Sequence, residues 1–240
     1  MQSHDVHQGD NMVCSLKPDS HIFEPRAGEA RWWQGDPAAL RAWPVTQAHP
    51  HIHIEHGLLN REQCQLLIDC FDRNRAACAA MTGSAYWDGR YIWSNSLPRA
   101  ELNALRLMQQ VRHYSTLRIM QRFVPGKIVY SDTAQLVCWP EGVELIPHTD
   151  NINPDGSPNT TAHRAFSSIL YLNDSYEGGE TFFPGHQLRL RPRAGTLVLF
   201  GAGSDYVHGV TKVRSGLRYT YAGWFTFDAA WEDKEAKLIY

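Results

Sequence analysis

His148 and Asp150, one residue apart in the run GVELIPHTD, are the two side chains in this 240-residue sequence best spaced to act together. In a β-strand, positions i and i+2 point to the same face, so an imidazole and a carboxylate there can reach one metal ion. His208, in DYVHGVTKVRSGLRY, is the expected third donor, brought back by further strand-like runs. Two imidazoles and a carboxylate leave coordination positions open and suit non-haem Fe(II) working with O₂. A chain of this composition holds about 0.7 His-x-Asp triplets by chance, so the triplet draws its meaning from what surrounds it. A rival exists at His53-Ile54-Glu55, in the alternating run HPHIHIEHG, which reads first as a half-buried strand with a polar outer face.

Beyond the triplet the chain carries an ordered series: FSSILYLND, YEGGETFFP, LRLRPRAGTLVLFG, then His208, Arg218 ten positions later, and YTYAGWFTF. Over residues 134 to 228 this series resembles the prolyl-4-hydroxylase-like family of Fe(II)/2-oxoglutarate-dependent dioxygenases. The resemblance implies a double-stranded β-helix (jelly roll), Fe(II) held by His148, Asp150 and His208, and 2-oxoglutarate and O₂ as cosubstrates. It also implies that Arg218 anchors the distal carboxylate of 2-oxoglutarate, with the hydroxyl of Tyr171 beside it. Halogenating members of the superfamily replace the carboxylate ligand by a small residue, so Asp150 points to hydroxylation. Trp139 departs from the pattern, because many relatives carry a tyrosine nine residues before the first ligand, close to the cosubstrate.

The residues support these roles to different degrees. A guanidinium grips a carboxylate through two parallel hydrogen bonds. Arg218 sits in an otherwise apolar strand, where burial would demand such a partner; Arg214, the competitor, falls in the turn before Gly216. Thr220 shares a strand face with Arg218 and can add a hydroxyl. The loop NINPDGSPNTTAH should rim the pocket, which makes Asn151 and Arg164 substrate-site candidates, although its composition is turn chemistry in the first place. Residues 81 to 96 combine four aromatics, Trp87 and Tyr91 among them, with Gly83 and Gly89. They read either as a hairpin packed by its own rings or as a lid over substrate.

Supporting elements are expected ahead of the strands. Residues 1 to 45 form an N-terminal arm broken by prolines, with a short helix around Pro37 to Trp43 and with Trp32, Trp33 and Trp43 available to dock it. Residues 46 to 240 form one catalytic domain. Asn60 and Gln63 have the spacing of a capping box, and Cys64, Leu67, Ile68 and Phe71 form one apolar stripe behind it. A second helix, starting near Ser96 to Pro98, should bury Ala104, Leu107, Met108, Val111 and Tyr114. These helices, within residues 58 to 124, would cover one sheet of a mainly β core at about 133 to 228. A helical tail is expected from Ala229 to Leu238.

Net charge is -2 and 20% of residues are charged, so no basic field exists to hold a nucleic acid. Five cysteines without CxxC spacing argue against a disulfide framework and for a cytoplasmic protein. No membrane span is expected. The reading is therefore an oxygenase that hydroxylates an unactivated C–H bond of an amino acid, a peptidyl or prolyl residue, or a small metabolite. The alternatives are a nucleobase demethylase of the same superfamily and a non-catalytic metal-binding jelly-roll module.

Overall fold

The computed structural model describes residues 39–45, 48–79 and 86–234. Twelve strands and two long helices organise it: β1 (His53–Glu55), α1 (Arg61–Ala79), β2 (Tyr91–Trp93), α2 (Leu102–Arg122), β3 (Tyr130–Trp139), β4 (Leu145–His148), β5 (Arg164–Tyr171), β6 (Glu177–Gly178), β7 (Thr181–Phe183), β8 (Leu188–Leu190), β9 (Leu197–Gly201), β10 (His208–Val210), β11 (Val213–Ser215) and β12 (Arg218–Thr226). A six-stranded sheet runs β1-β9-β5-β12-β3-β2 and a four-stranded sheet runs β4-β10-β7-β8, with β11 and β6 as a small pair. This is the mainly β, jelly-roll architecture expected from the sequence, with the strands joined antiparallel.

Alternation along the large sheet divides its two faces between two tasks. On one face Leu136, Cys138, Leu170, Tyr219 and Tyr221 are buried in a cluster with Cys64, Leu67 and Phe71 of α1 and Leu107, Met108 and Val111 of α2. The opposite face turns Gln135, Val137 and Trp139 of β3, Ser167 and Ile169 of β5, and Arg218, Thr220, Ala222 and Trp224 of β12 toward one cavity. Each aliphatic side chain sealed behind the sheet is worth about 1.5 to 3 kcal/mol. The helical layer thereby fixes the strands that carry the chemistry.

Several expectations shift in detail. The second helix starts at Leu102 after two short 3₁₀ turns. Tyr114 stays half-exposed because its hydroxyl reaches out to bond Glu55. The short helix near Trp43 is a 3₁₀ turn at Ala39–Ala42. Trp43 docks on Phe182 at 6.4 Å between ring centroids, whereas Trp32 and Trp33 lie outside the described residues. The tail is a 3₁₀ turn at Ala229–Trp231, and positions 235–240 likewise lie outside the described residues. No helix among the described residues is long and apolar enough to cross a membrane.

The start of α1 is a capping box: Gln63 N donates to Asn60 Oδ1 at 2.8 Å and Asn60 N donates to Gln63 Oε1 at 3.0 Å. Replacing Asn60 by Ala removes one of these bonds and loosens the other. Urea unfolding should show a loss of about 1 kcal/mol; unchanged stability would mean that packing alone holds this helix end.

Candidate active site

The two histidines meet because their strands pair. In the antiparallel ladder of β4 and β10, His208 stands directly opposite His148, and the ring centroids are 4.4 Å apart. Asp150 follows β4 by two residues and places Oδ1 3.9 Å from His148 Nε2 and Oδ2 3.8 Å from His208 Nε2. All three residues are buried, and the ligand atoms fall within 4.8 Å of one another; no other His, Cys, Asp and Glu trio among the described residues does so.

Hydrogen bonds fix which atoms face inward. His148 Nδ1 lies 3.1 Å from the carbonyl of Ile146, and His208 Nδ1 lies 3.0 Å from that of Tyr206. A carbonyl only accepts, so each Nδ1 carries the proton and each Nε2 presents a lone pair to the centre. Ser167 Oγ donates to Asp150 Oδ2 at 2.6 Å. Burial, then the neighbouring His208, pushes the His148 pKa down to about 4. For Asp150 burial acts upward, but His208, His148, Arg164 and the Ser167 hydrogen bond outweigh it and hold the carboxyl below its ordinary value. Two imidazoles with Nε2 turned inward and one carboxylate make a donor set that fits Fe(II).

Across the cavity, on the large sheet, lies Arg218, 1% exposed. Its Nη2 donates to Thr181 Oγ1 at 3.1 Å, and its Nε is buried with no partner. A buried cation with an unused donor fits a missing anion, which is the property a 2-oxoglutarate anchor needs. Arg214, by contrast, is exposed. Gly178 and Gly179, at φ +70 and +62, make room for this arrangement: a Cβ on Gly178 would stand 2.1 Å from the Lys212 carbonyl oxygen, and one on Gly179 2.9 Å from Arg218 Cδ.

Tyr171 is wholly buried, and its hydroxyl bonds Thr181 Oγ1 at 2.5 Å. It therefore braces the threonine that holds Arg218. Trp139 lines the cavity, donates Nε1 to Thr220 Oγ1 at 3.4 Å, and lies beneath the Arg218 guanidinium at 5.3 Å. The indole thus occupies the place beside Arg218 and Thr220, and Thr220 itself faces the cavity.

Of the candidates for substrate contact, Trp87 and Arg164 line the cavity. Tyr91 packs behind, edge-on to Trp87 and Trp93, and Asn151 donates to the Arg164 carbonyl at 2.8 Å. Residues 81–85 of the aromatic stretch lie outside the described residues, while Tyr91 to Trp93 are strand β2, paired to β3. The rival at His53 is a half-buried ion pair: His53 bonds Glu55 at 3.1 Å, and Arg118 reaches the same carboxylate at 3.2 Å. Sequence reasoning missed Thr181, Ser167 and Gln135, and it gave Trp93 and Trp224 no individual role in the site. The signal for Thr181 lay in GGETFFP itself; for the others it lay in the strand register, which places them on the Arg218 face.

Residues 134–226, which carry the three donor residues and Arg218, match the sequence profile of the 2OG-Fe(II) oxygenase superfamily. The likeness to that superfamily rests on this stretch. Human prolyl 3-hydroxylase 2 is 32% identical over 100 residues, and human prolyl 3-hydroxylase 3 is 36% identical over 100 residues. Each alignment covers 37% of this chain and 14% of the relative, so the chain spans a small part of those proteins' length. Its fold is similar to that of a viral collagen prolyl hydroxylase from Paramecium Bursaria Chlorella virus-1, with a TM-score of 0.54, 19% identity, and coverage of 74% of this chain and 96% of that one. It is also similar to a Pseudomonas putida prolyl-4-hydroxylase, with a TM-score of 0.53, 21% identity, and coverage of 75% and 94%.

The donor geometry makes metal retention selective. His148→Ala, Asp150→Ala and His208→Ala should each lose the one Fe(II) bound per chain, while His53→Ala keeps it, as metal analysis after gel filtration will show. In metal-free protein, His148 is neutral when folded down to about pH 4 but takes a proton near 6.5 when unfolded. The unfolded state therefore binds more protons between these values, and stability falls as the pH drops through that window, by roughly 3 kcal/mol. Denaturant midpoints should show this decline in wild type and a flatter one in His148→Gln; equal slopes would contradict it.

Proposed function

We propose that this chain is a 2-oxoglutarate- and Fe(II)-dependent hydroxylase that acts on an unactivated C–H bond, with peptidyl prolyl residues as its substrate class. One observation carries the reading. A buried two-His, one-carboxylate set and a buried guanidinium with an unused donor face the same cavity from opposite sheets. The substrate class draws support from the prolyl 3-hydroxylases.

His148, Asp150 and His208 would hold the iron, and Arg218 with Thr220 would hold the far carboxylate of 2-oxoglutarate. Bound there, iron and 2-oxoglutarate supply the O₂-dependent oxidative decarboxylation to succinate and CO₂ whose oxidising power hydroxylates a C–H bond. The rest is positioning. Ser167 holds Asp150 in one rotamer, the Ile146 and Tyr206 carbonyls hold the two imidazoles, and Thr181 and Tyr171 aim the guanidinium. Trp87, Trp139 and Trp93 form an aromatic wall that excludes water. A cytoplasmic setting belongs to the same proposal and is supported by Cys64, Cys70 and Cys138, which are buried free thiols.

Removing the guanidinium strips a buried carboxylate of its partner, at a cost of roughly 3 to 5 kcal/mol. Arg218→Ala should therefore raise the KM for 2-oxoglutarate about a hundredfold or more and leave Fe(II) binding within a factor of about two. Arg214→Ala should change neither. Equal effects of the two substitutions would displace Arg218 from this role.

A further inference from the structure

Gln135 lies within β3 on the cavity face, in register with Trp93 of β2 on one side and Ala222 of β12 on the other. It is 7% exposed, lines the cavity, and has an Oε1 that is buried with no hydrogen-bond partner. A dry, unused acceptor is costly, and its neighbours on that face of β3, Val137 and Trp139, are buried and apolar. An amide kept in such a place is accounted for by a ligand that bonds it.

The surroundings indicate what kind of ligand. Trp93 and Trp224, 6.1 Å apart between centroids, wall this end of the cavity. Arg164 stacks on Trp224 at 3.9 Å, with its charge matched by Asp132 at 3.2 Å. An anion entering here meets a cation that is already paired, whereas a neutral N–H meets a free acceptor.

We propose that Gln135 is a substrate-recognition residue whose side-chain amide pairs with the backbone N–H and C=O of a residue flanking the one oxidised. A primary amide carries an acceptor and donors in one plane. That is the complement of the N–H and C=O which an extended residue turns to one side, as in strand pairing. Proline has no N–H, so the residue read is its neighbour. The proposal rests on the oxygenase reading above and adds to it the residue that selects a peptide backbone.

The test begins with succinate release over acetylated and amidated pentapeptides carrying each of the twenty residues at the centre, with free amino acids alongside. The best peptide is then N-methylated at one flanking amide at a time. One such methylation should lower the wild-type kcat/KM about tenfold through KM, the equivalent of one lost hydrogen bond. Gln135→Met should show the same loss with the parent peptide and no longer distinguish the two peptides. Its 2-oxoglutarate KM and iron content should match wild type, and its Tm should be equal or higher, because a buried unpaired acceptor has been removed. A wild-type KM in Gln135→Met, undiminished discrimination by that variant, or stimulation by free amino acids alone would overturn the proposal, as would no stimulation by any blocked peptide. Activity centred on a residue other than proline would remove the prolyl assignment alone, and the N-methyl comparison on that peptide would still decide the Gln135 contact.

Discussion

The antiparallel pairing of β4 with β10 is the contact on which the rest of the site depends. It sets His148 opposite His208 across a ladder whose side chains stand within ligating reach, and Asp150 enters the same space because it lies two residues beyond His148. A slip of one residue would turn every side chain of a strand to the other face. The register is therefore equivalent to the metal geometry. It is secured on its far side by the pairing of β10 with β7 and by the Phe183 and Phe200 rings, 5.8 and 4.8 Å from His208.

Charge arranges the remainder. Burying an ion is costly unless a partner is present, and most buried charges of this cavity have one: Asp150 has Ser167 and two imidazoles, and Arg164 has Asp132. Arg218 is the exception, with neutral Thr181 and an unused Nε. The stability given up there is recovered when an anion binds, which is how a cosubstrate site can be both empty-tolerant and selective. The helices contribute by sealing the opposite face of the sheet with apolar side chains, and Tyr219 of the strand that carries Arg218 and Thr220 also donates its hydroxyl to Asp72 of α1 at 3.0 Å.

The donor set was legible because two of its members are separated by the strand period and the third stands in a row of motifs. Arg218 was legible as a charge in an apolar strand. Tyr171 was only half legible: its burial could be expected, but not the direction of its hydroxyl, which depends on Thr181 arriving from another sheet. Asn151 could not be told from Asn159 and Thr161, since turn geometry decides which loop side chains look inward, and it is Asn159 and Thr161 that line the cavity. Gln135 gave no signal in one dimension. A glutamine in a strand ordinarily faces solvent, and only the register against Trp93 and Ala222 puts it inside.

The fate of molecular oxygen is the most direct test of iron- and 2-oxoglutarate-dependent hydroxylation by this chain. With iron, 2-oxoglutarate and an accepted peptide under ¹⁸O₂, mass spectrometry should find one labelled atom in succinate and one in the hydroxylated peptide, formed in equal amounts and both lost in His208→Ala. Product oxygen drawn wholly from water, or hydroxylated peptide formed without succinate, would contradict it.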